Sequence, residues 1–118
     1  MTIVLYHNPR CSKSRKALQL IEDQGINPQI IEYLKMPPSA KELLELAELL
    51  GLRMAEIVRT GEPAFAAIRD TVSLADDRAV ARAISENPIL LQRPIAVDTD
   101  TGVAVIGRPP ENILELIR

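Results

Sequence analysis

Two rhythms of apolar and polar positions run along this chain. Residues 2–6 form an almost unbroken β-forming run, with Ile3-Val4-Leu5 between Thr2 and Tyr6, which predicts a buried first strand. Asn8-Pro9 ends it. From Ser12 onward, apolar residues at 17, 18, 20 and 21 fall at helical spacing, and Gly25 is placed to cap that helix. Asn27-Pro28 then opens a second β-rich run over 29–33. Strand, helix and strand within this length make one βαβ unit with parallel strands, and in such sheets ligands sit beyond the carboxyl ends of the strands.

Met36-Pro37-Pro38 breaks the pattern. Ser39 and Glu42 have capping-box spacing, and Leu43, Leu44, Leu46, Ala47 and Leu50 follow as a helix that Gly51 stops. A short helical piece over 53–59 is interrupted by Thr60-Gly61-Glu62-Pro63. A further helix starts at Ser73-Leu74-Ala75-Asp76, presents Ala79, Val80, Ala83 and Ile84 on one face, and ends at Asn87-Pro88. Runs over 95–98 and 103–107, joined by Thr99-Asp100-Thr101-Gly102, predict an antiparallel hairpin. Pro109-Pro110-Glu111 begins a last helix over 112–118 with Ile113, Leu114 and Ile117 inward. The expected fold is α/β: a small mixed sheet in the order β-α-β … β-β-α, flanked by helices, with a helical insertion at about 39–87. One domain, 1–118, is expected to hold all of it.

Composition narrows the partners. A chain of 118 residues that is 47% hydrophobic and 25% charged suits one soluble core. Aromatics are only 3%, with no Trp, and the net charge is −2. The core must be aliphatic, and neither stacking platforms nor a global positive field favours nucleic acid. A single cysteine cannot close an internal disulfide. No apolar run has the length of a membrane span, and the start runs straight into structure without a leader pattern. A cytoplasmic monomer without membrane partners is expected.

The chemistry concentrates in Tyr6-His7-Asn8-Pro9-Arg10-Cys11-Ser12-Lys13-Ser14-Arg15, which holds the only cysteine and the only histidine. Cys11 falls at the first turn of the predicted helix, where unpaired N–H groups and the macrodipole favour a thiolate and bind oxyanions. A lone cysteine is most often a buried hydrophobe, yet the neighbours here are Pro, Arg, Ser, Lys and Ser. No apolar face claims it, so a functional thiol is the better reading. His7 either acts electrostatically on that thiol or merely satisfies its own hydrogen bonds. Ser14 stands where a Cys-x-x-Cys would have its second thiol. It can only hydrogen-bond a thiolate or a bound anion, so the resolving thiol must come from outside.

Five motifs in order make the resemblance specific: Tyr6-His7-Asn8-Pro9-x-Cys11-x-x-Ser14-Arg15, Tyr33-Leu34-x-x-Pro37-Pro38, Arg59 before Glu62-Pro63, Pro88-Ile89-Leu90-x-x-Arg93-Pro94 and Gly107-Arg108-Pro109. Over essentially its full length the chain resembles the thioredoxin-fold arsenate reductases of the glutaredoxin-coupled type. The resemblance implies that Cys11 is the catalytic residue that attacks arsenate and that Arg59, Arg93 and Arg108 hold the oxyanion. It further implies that His7, Ser14 and Arg15 stabilise the thiolate, and that Pro94 is cis beside the cysteine. Guanidinium forks match tetrahedral oxyanions independently of any family. Glutathione as co-substrate and a glutaredoxin as partner follow from the same resemblance, with no bound cofactor and no metal. Arg10 and Ser12-Lys13 stand where plasmid-borne relatives carry small residues, and the C-terminal tail is shorter. Two other readings remain: a thiol-dependent oxidoreductase acting on another substrate, or a non-catalytic regulator related to RNA-polymerase-binding members. Three retained arginines count against the regulator.

Overall fold

The computed structural model describes residues 2–117. By internal contacts the chain divides into two units, one comprising the residues up to Met36 and from Arg93 onward, the other Pro37–Gln92.

The first unit holds β1 (Ile3–Tyr6), α1 (Ser12–Asp23), β2 (Gln29–Ile31), β3 (Ile95–Asp98), β4 (Val103–Ile106) and a 3-10 helix, Pro110–Leu116. The sheet order is β2-β1-β3-β4. β1 pairs parallel with β2 and antiparallel with β3, and β3 and β4 form the expected hairpin. Ile3 and Leu5 alternate with half-buried Val4 and Tyr6 along β1, and Ala17 and Ile21 share the inward face of α1. Together with Ala96, Ile113 and Leu116 they form one aliphatic cluster, whose burial from water is the main force holding this unit together. Gly102, at φ +74°, closes the hairpin by donating its N–H to Asp98 O at 2.8 Å, a left-handed conformation that favours glycine.

The second unit holds α2 (Ala40–Leu50), α3 (Pro63–Ala66), α4 (Asp77–Glu86) and two 3-10 turns, Met54–Glu56 and Pro88–Leu90. α2 packs on α4 through Leu43, Leu46, Ala47, Val80, Ala83 and Ile84, all buried. Ser39 Oγ accepts from Glu42 N at 3.1 Å, and Gly51 ends α2 at φ +71°, as the pattern predicts.

Four expectations change in detail. The strand expected over 29–33 stops at Ile31, because Glu32 starts a turn whose carbonyl accepts from Lys35 and Met36. α4 begins at Asp77 rather than at Ser73: Asp76 Oδ1 caps Ala79 N at 3.2 Å, while Ser73 Oγ is engaged by Ala75 N in a preceding turn. Phe65 is buried on the short α3, which begins at Pro63, the last residue of the expected interruption, and which the sequence reading did not single out within the helical insertion. The last element is a 3-10 helix, so its buried residues are Ile113 and Leu116, three apart, with Leu114 and Ile117 only half-buried. Residue 118 lies outside the described residues.

Candidate active site

Cys11 is the residue at which the chain enters α1: its backbone is extended, at φ −92° and ψ 122°, and its carbonyl already accepts the N–H of Arg15 at 3.0 Å. Its own N–H donates to Asn8 O at 3.0 Å, which curls the loop and leaves the thiol half-exposed at the helix start. Burial pushes the Cys11 thiol up. The Ser14 amide, the Arg93 guanidinium and the Lys13 amide, all hydrogen-bonding the sulfur, outweigh it and hold the thiol below its ordinary value.

Beneath the thiol lies a buried polar network. Ser14 is fully buried, its Oγ accepting the Asn8 N–H at 3.1 Å and standing 2.6 Å from His7 Nδ1. Ser14 Oγ thus serves both the Asn8 amide and the His7 ring, the direction of the second bond being set by the imidazole tautomer. Burial lowers the His7 pKa; Glu32 opposes this and Arg15 reinforces it, and the net direction is down.

The residues expected around the thiolate have these partners. His7 is buried against Ser14. Ser14 meets His7 and Asn8 through its hydroxyl and the sulfur through its amide. Arg15 is exposed and donates from Nη1 to Pro9 O at 2.8 Å, bracing the loop that carries the thiol.

Arg93 immediately precedes β3. Its Nε and Nη1 are buried and have no hydrogen-bond partner among the described residues, a costly state for a charged donor that an incoming anion relieves. Arg108 donates from Nη1 to Arg93 O at 3.3 Å, and Asn112 Nδ2 in turn holds Arg108 O at 3.2 Å. The Arg93–Pro94 peptide is cis, and so is Arg108–Pro109. Gly107 donates to Pro94 O at 2.8 Å, and a Cβ there would lie 2.8 Å from Pro94 Cγ. Only glycine fits. Cys11, Arg93, Pro94 and Arg108 thus belong to one unit, whereas Arg59 belongs to the second, where its Nη1 pairs with Glu62 Oε1 at 2.8 Å.

Sequence reasoning missed the structural roles of Asn8, Gly107 and Asn112. The available signal was Asn-Pro-x: Asn8 Oδ1 accepts the Arg10 N–H at 3.0 Å, an Asx turn that this residue type favours.

Residues 6–116 match the ArsC family. The chain belongs to that family. It is 40% identical over 119 residues to an arsenate reductase of Haemophilus influenzae, covering 99% of this chain and 100% of that one. It is also 40% identical over 116 residues to the uncharacterized protein YfgD of Escherichia coli strain K12, covering 98% and 96%. An arsenate reductase structure from Vibrio cholerae, 45% identical, superposes with a TM-score of 0.90 over 98% of this chain and 97% of that one. The fold of this ArsC-family chain is thioredoxin-like, as expected. No described helix is long and apolar enough to cross a membrane, and no three His, Cys, Asp or Glu side chains among the described residues cluster as metal ligands.

Proposed function

We propose that this ArsC-family protein reduces arsenate to arsenite, with Cys11 as nucleophile and with glutathione and a glutaredoxin as the reducing system. The observation that carries the reading is Arg93: one guanidinium favours the thiolate while two of its buried nitrogens lack a partner. A nucleophile and an oxyanion fork are therefore held together.

The thiolate attacks arsenic, an S–As bond forms, and one As–O bond breaks with its oxygen leaving as water. Arg93 and Arg108 stay protonated throughout and neutralise the oxyanion. Glutathione thiolate then attacks Cys11 Sγ. The S–As bond breaks with its electron pair on arsenic, which leaves as arsenite, and Cys11 is left in a mixed disulfide. A glutaredoxin thiolate takes the glutathione sulfur and frees Cys11. The sum is one arsenate and two thiols giving one arsenite, one disulfide and water. Ser14 in place of a second cysteine supports the external route, and the cytoplasmic glutathione pool supplies it.

Arsenite production measured by chromatography tests this. Arsenate alone should give no more than a stoichiometric adduct, and glutathione with a glutaredoxin should give many turnovers. Cys11→Ser should give none. Arsenite no greater than the Cys11→Ser blank would overturn the activity, and sustained production with thioredoxin and its reductase alone would overturn the reductant.

A further inference from the structure

A cleft of about 330 Å³ opens beside the catalytic loop, lined by His7, Asn8, Pro9, Arg10, Glu32, Leu34 and Lys35. Its wall includes the four residues that lead directly into Cys11, and the oxyanion arginines are not among its lining. The volume lies at the lower end of the range for small-molecule pockets, ~300–1,000 Å³, which suits a tripeptide and is needlessly large for a tetrahedral oxyanion.

The lining has a definite chemistry. Arg10 and Lys35 supply two cations, and Glu32 supplies one carboxylate. Lys35 Nζ lies 3.6 Å from Glu32 Oε1 in a solvent-exposed pair, a weak interaction that a ligand can exchange for its own. His7 and Asn8 are only 6% and 7% exposed. His7 Nδ1 is taken up by Ser14 and Asn8 Oδ1 by Arg10 N. Both residues line the cleft, and Nε2 of His7 and Nδ2 of Asn8 are the polar atoms of these side chains not used in those bonds. Leu34, 37% exposed, adds an apolar wall.

Two cations, one anion and two neutral polar groups complement a small molecule with two carboxylates and one ammonium. With Cys11 as the sole thiol, such a molecule must itself carry a thiol to be useful here. We propose that this cleft binds the glutathione co-substrate, Arg10 and Lys35 taking its carboxylates and Glu32 its ammonium. The inference rests on the reductant named above, and it sets glutathione against the residues that lead into Cys11, on a wall that the oxyanion arginines do not share.

The test has two arms. S-methylglutathione, which cannot react, is titrated into the 15N-labelled wild-type protein, and the largest amide shifts should fall on His7, Asn8, Arg10, Leu34 and Lys35. Shifts elsewhere, or none at millimolar ligand, would overturn the proposal. This arm needs no turnover, so it judges the cleft even where arsenate reduction fails. In the second arm, Arg10→Glu combined with Lys35→Glu should raise the KM for glutathione about tenfold or more, equivalent to ~1.4 kcal/mol, and leave the KM for arsenate within twofold. Lys41→Glu, an exposed charge reversal on α2, is the control and should change neither. An unchanged glutathione KM in the double variant, with arsenate reduction intact, would overturn the cleft and leave the proposed activity standing.

Discussion

The two units bury different things. Every fully buried core position of the second, from Leu43 through Phe65 to Leu91, is apolar, whereas the first also buries His7, Asn8, Ser14 and Asp98. Asp98 has a local reason, since its Oδ1 accepts Asp100 N at 3.0 Å in the hairpin turn. The other three form one network under Cys11. Burying polar groups costs stability unless each finds a partner, so a network concentrated at one loop marks where the fold has been shaped by chemistry rather than by packing. The contrast teaches that the same chain uses burial in two ways: in one unit to hold helices together, in the other to fix the geometry of a thiol.

Breaking the comparison from the packing side should give the largest effect on stability. Ile84 is completely buried on α4, and Ile84→Ala removes methyl groups that leave a cavity, which costs about 2–5 kcal/mol. Urea unfolding should show that loss as a lowered midpoint.

From the polar side, Ser14→Ala removes a hydroxyl that accepts from Asn8 N and hydrogen-bonds His7 Nδ1. Two buried partners are left unsatisfied, so a loss of about 1–3 kcal/mol is expected. Unlike Ile84→Ala, it should also slow alkylation of Cys11 by iodoacetamide, because the loop that presents the thiol loosens.

Much of this was legible beforehand. The sequence of elements along the chain, the parallel β1–β2 pair, the hairpin and the limits of α1 and α2 follow from apolar spacing and from Gly25, Gly51 and Gly102, whereas the place of β3 beside β1 does not. The position of Cys11 at a helix start was legible for the same reason. What the sequence could not carry was the direction in which short polar side chains turn. Ser14 sits one helical turn from Cys11 and was expected to serve it; that its hydroxyl also meets an imidazole depends on where β1 leaves His7. The 3-10 form of Pro110–Leu116 was equally hidden, since Ile113, Leu114, Leu116 and Ile117 fit both periods.

A smaller effect sharpens the polar half further. The folded pKa of His7 lies below its ordinary value, with burial as the first cause, so below about pH 6.5 the unfolded chain binds a proton that the folded chain refuses. Stability should therefore fall as pH drops from about 6.5 toward the folded value, by at most ~1.4 kcal/mol per pH unit, and be independent of His7 above it. Comparing denaturation of wild type and His7→Gln across this range checks the sign. A His7 that gained stability on acidification would mean an imidazolium at the loop.

The central claim is that the first unit is built to hold Cys11 as a thiolate beside an oxyanion-binding guanidinium. Because Cys11 is the only cysteine, its titration can be followed by thiolate absorbance without interference from a second thiol. The wild-type midpoint should lie below the ~8.5 of a free thiol, and Arg93→Ala should move it upward, since that substitution removes both a hydrogen bond and a positive charge from the sulfur. A wild-type midpoint at or above the free-thiol value, or an Arg93→Ala midpoint identical to wild type, would contradict the account.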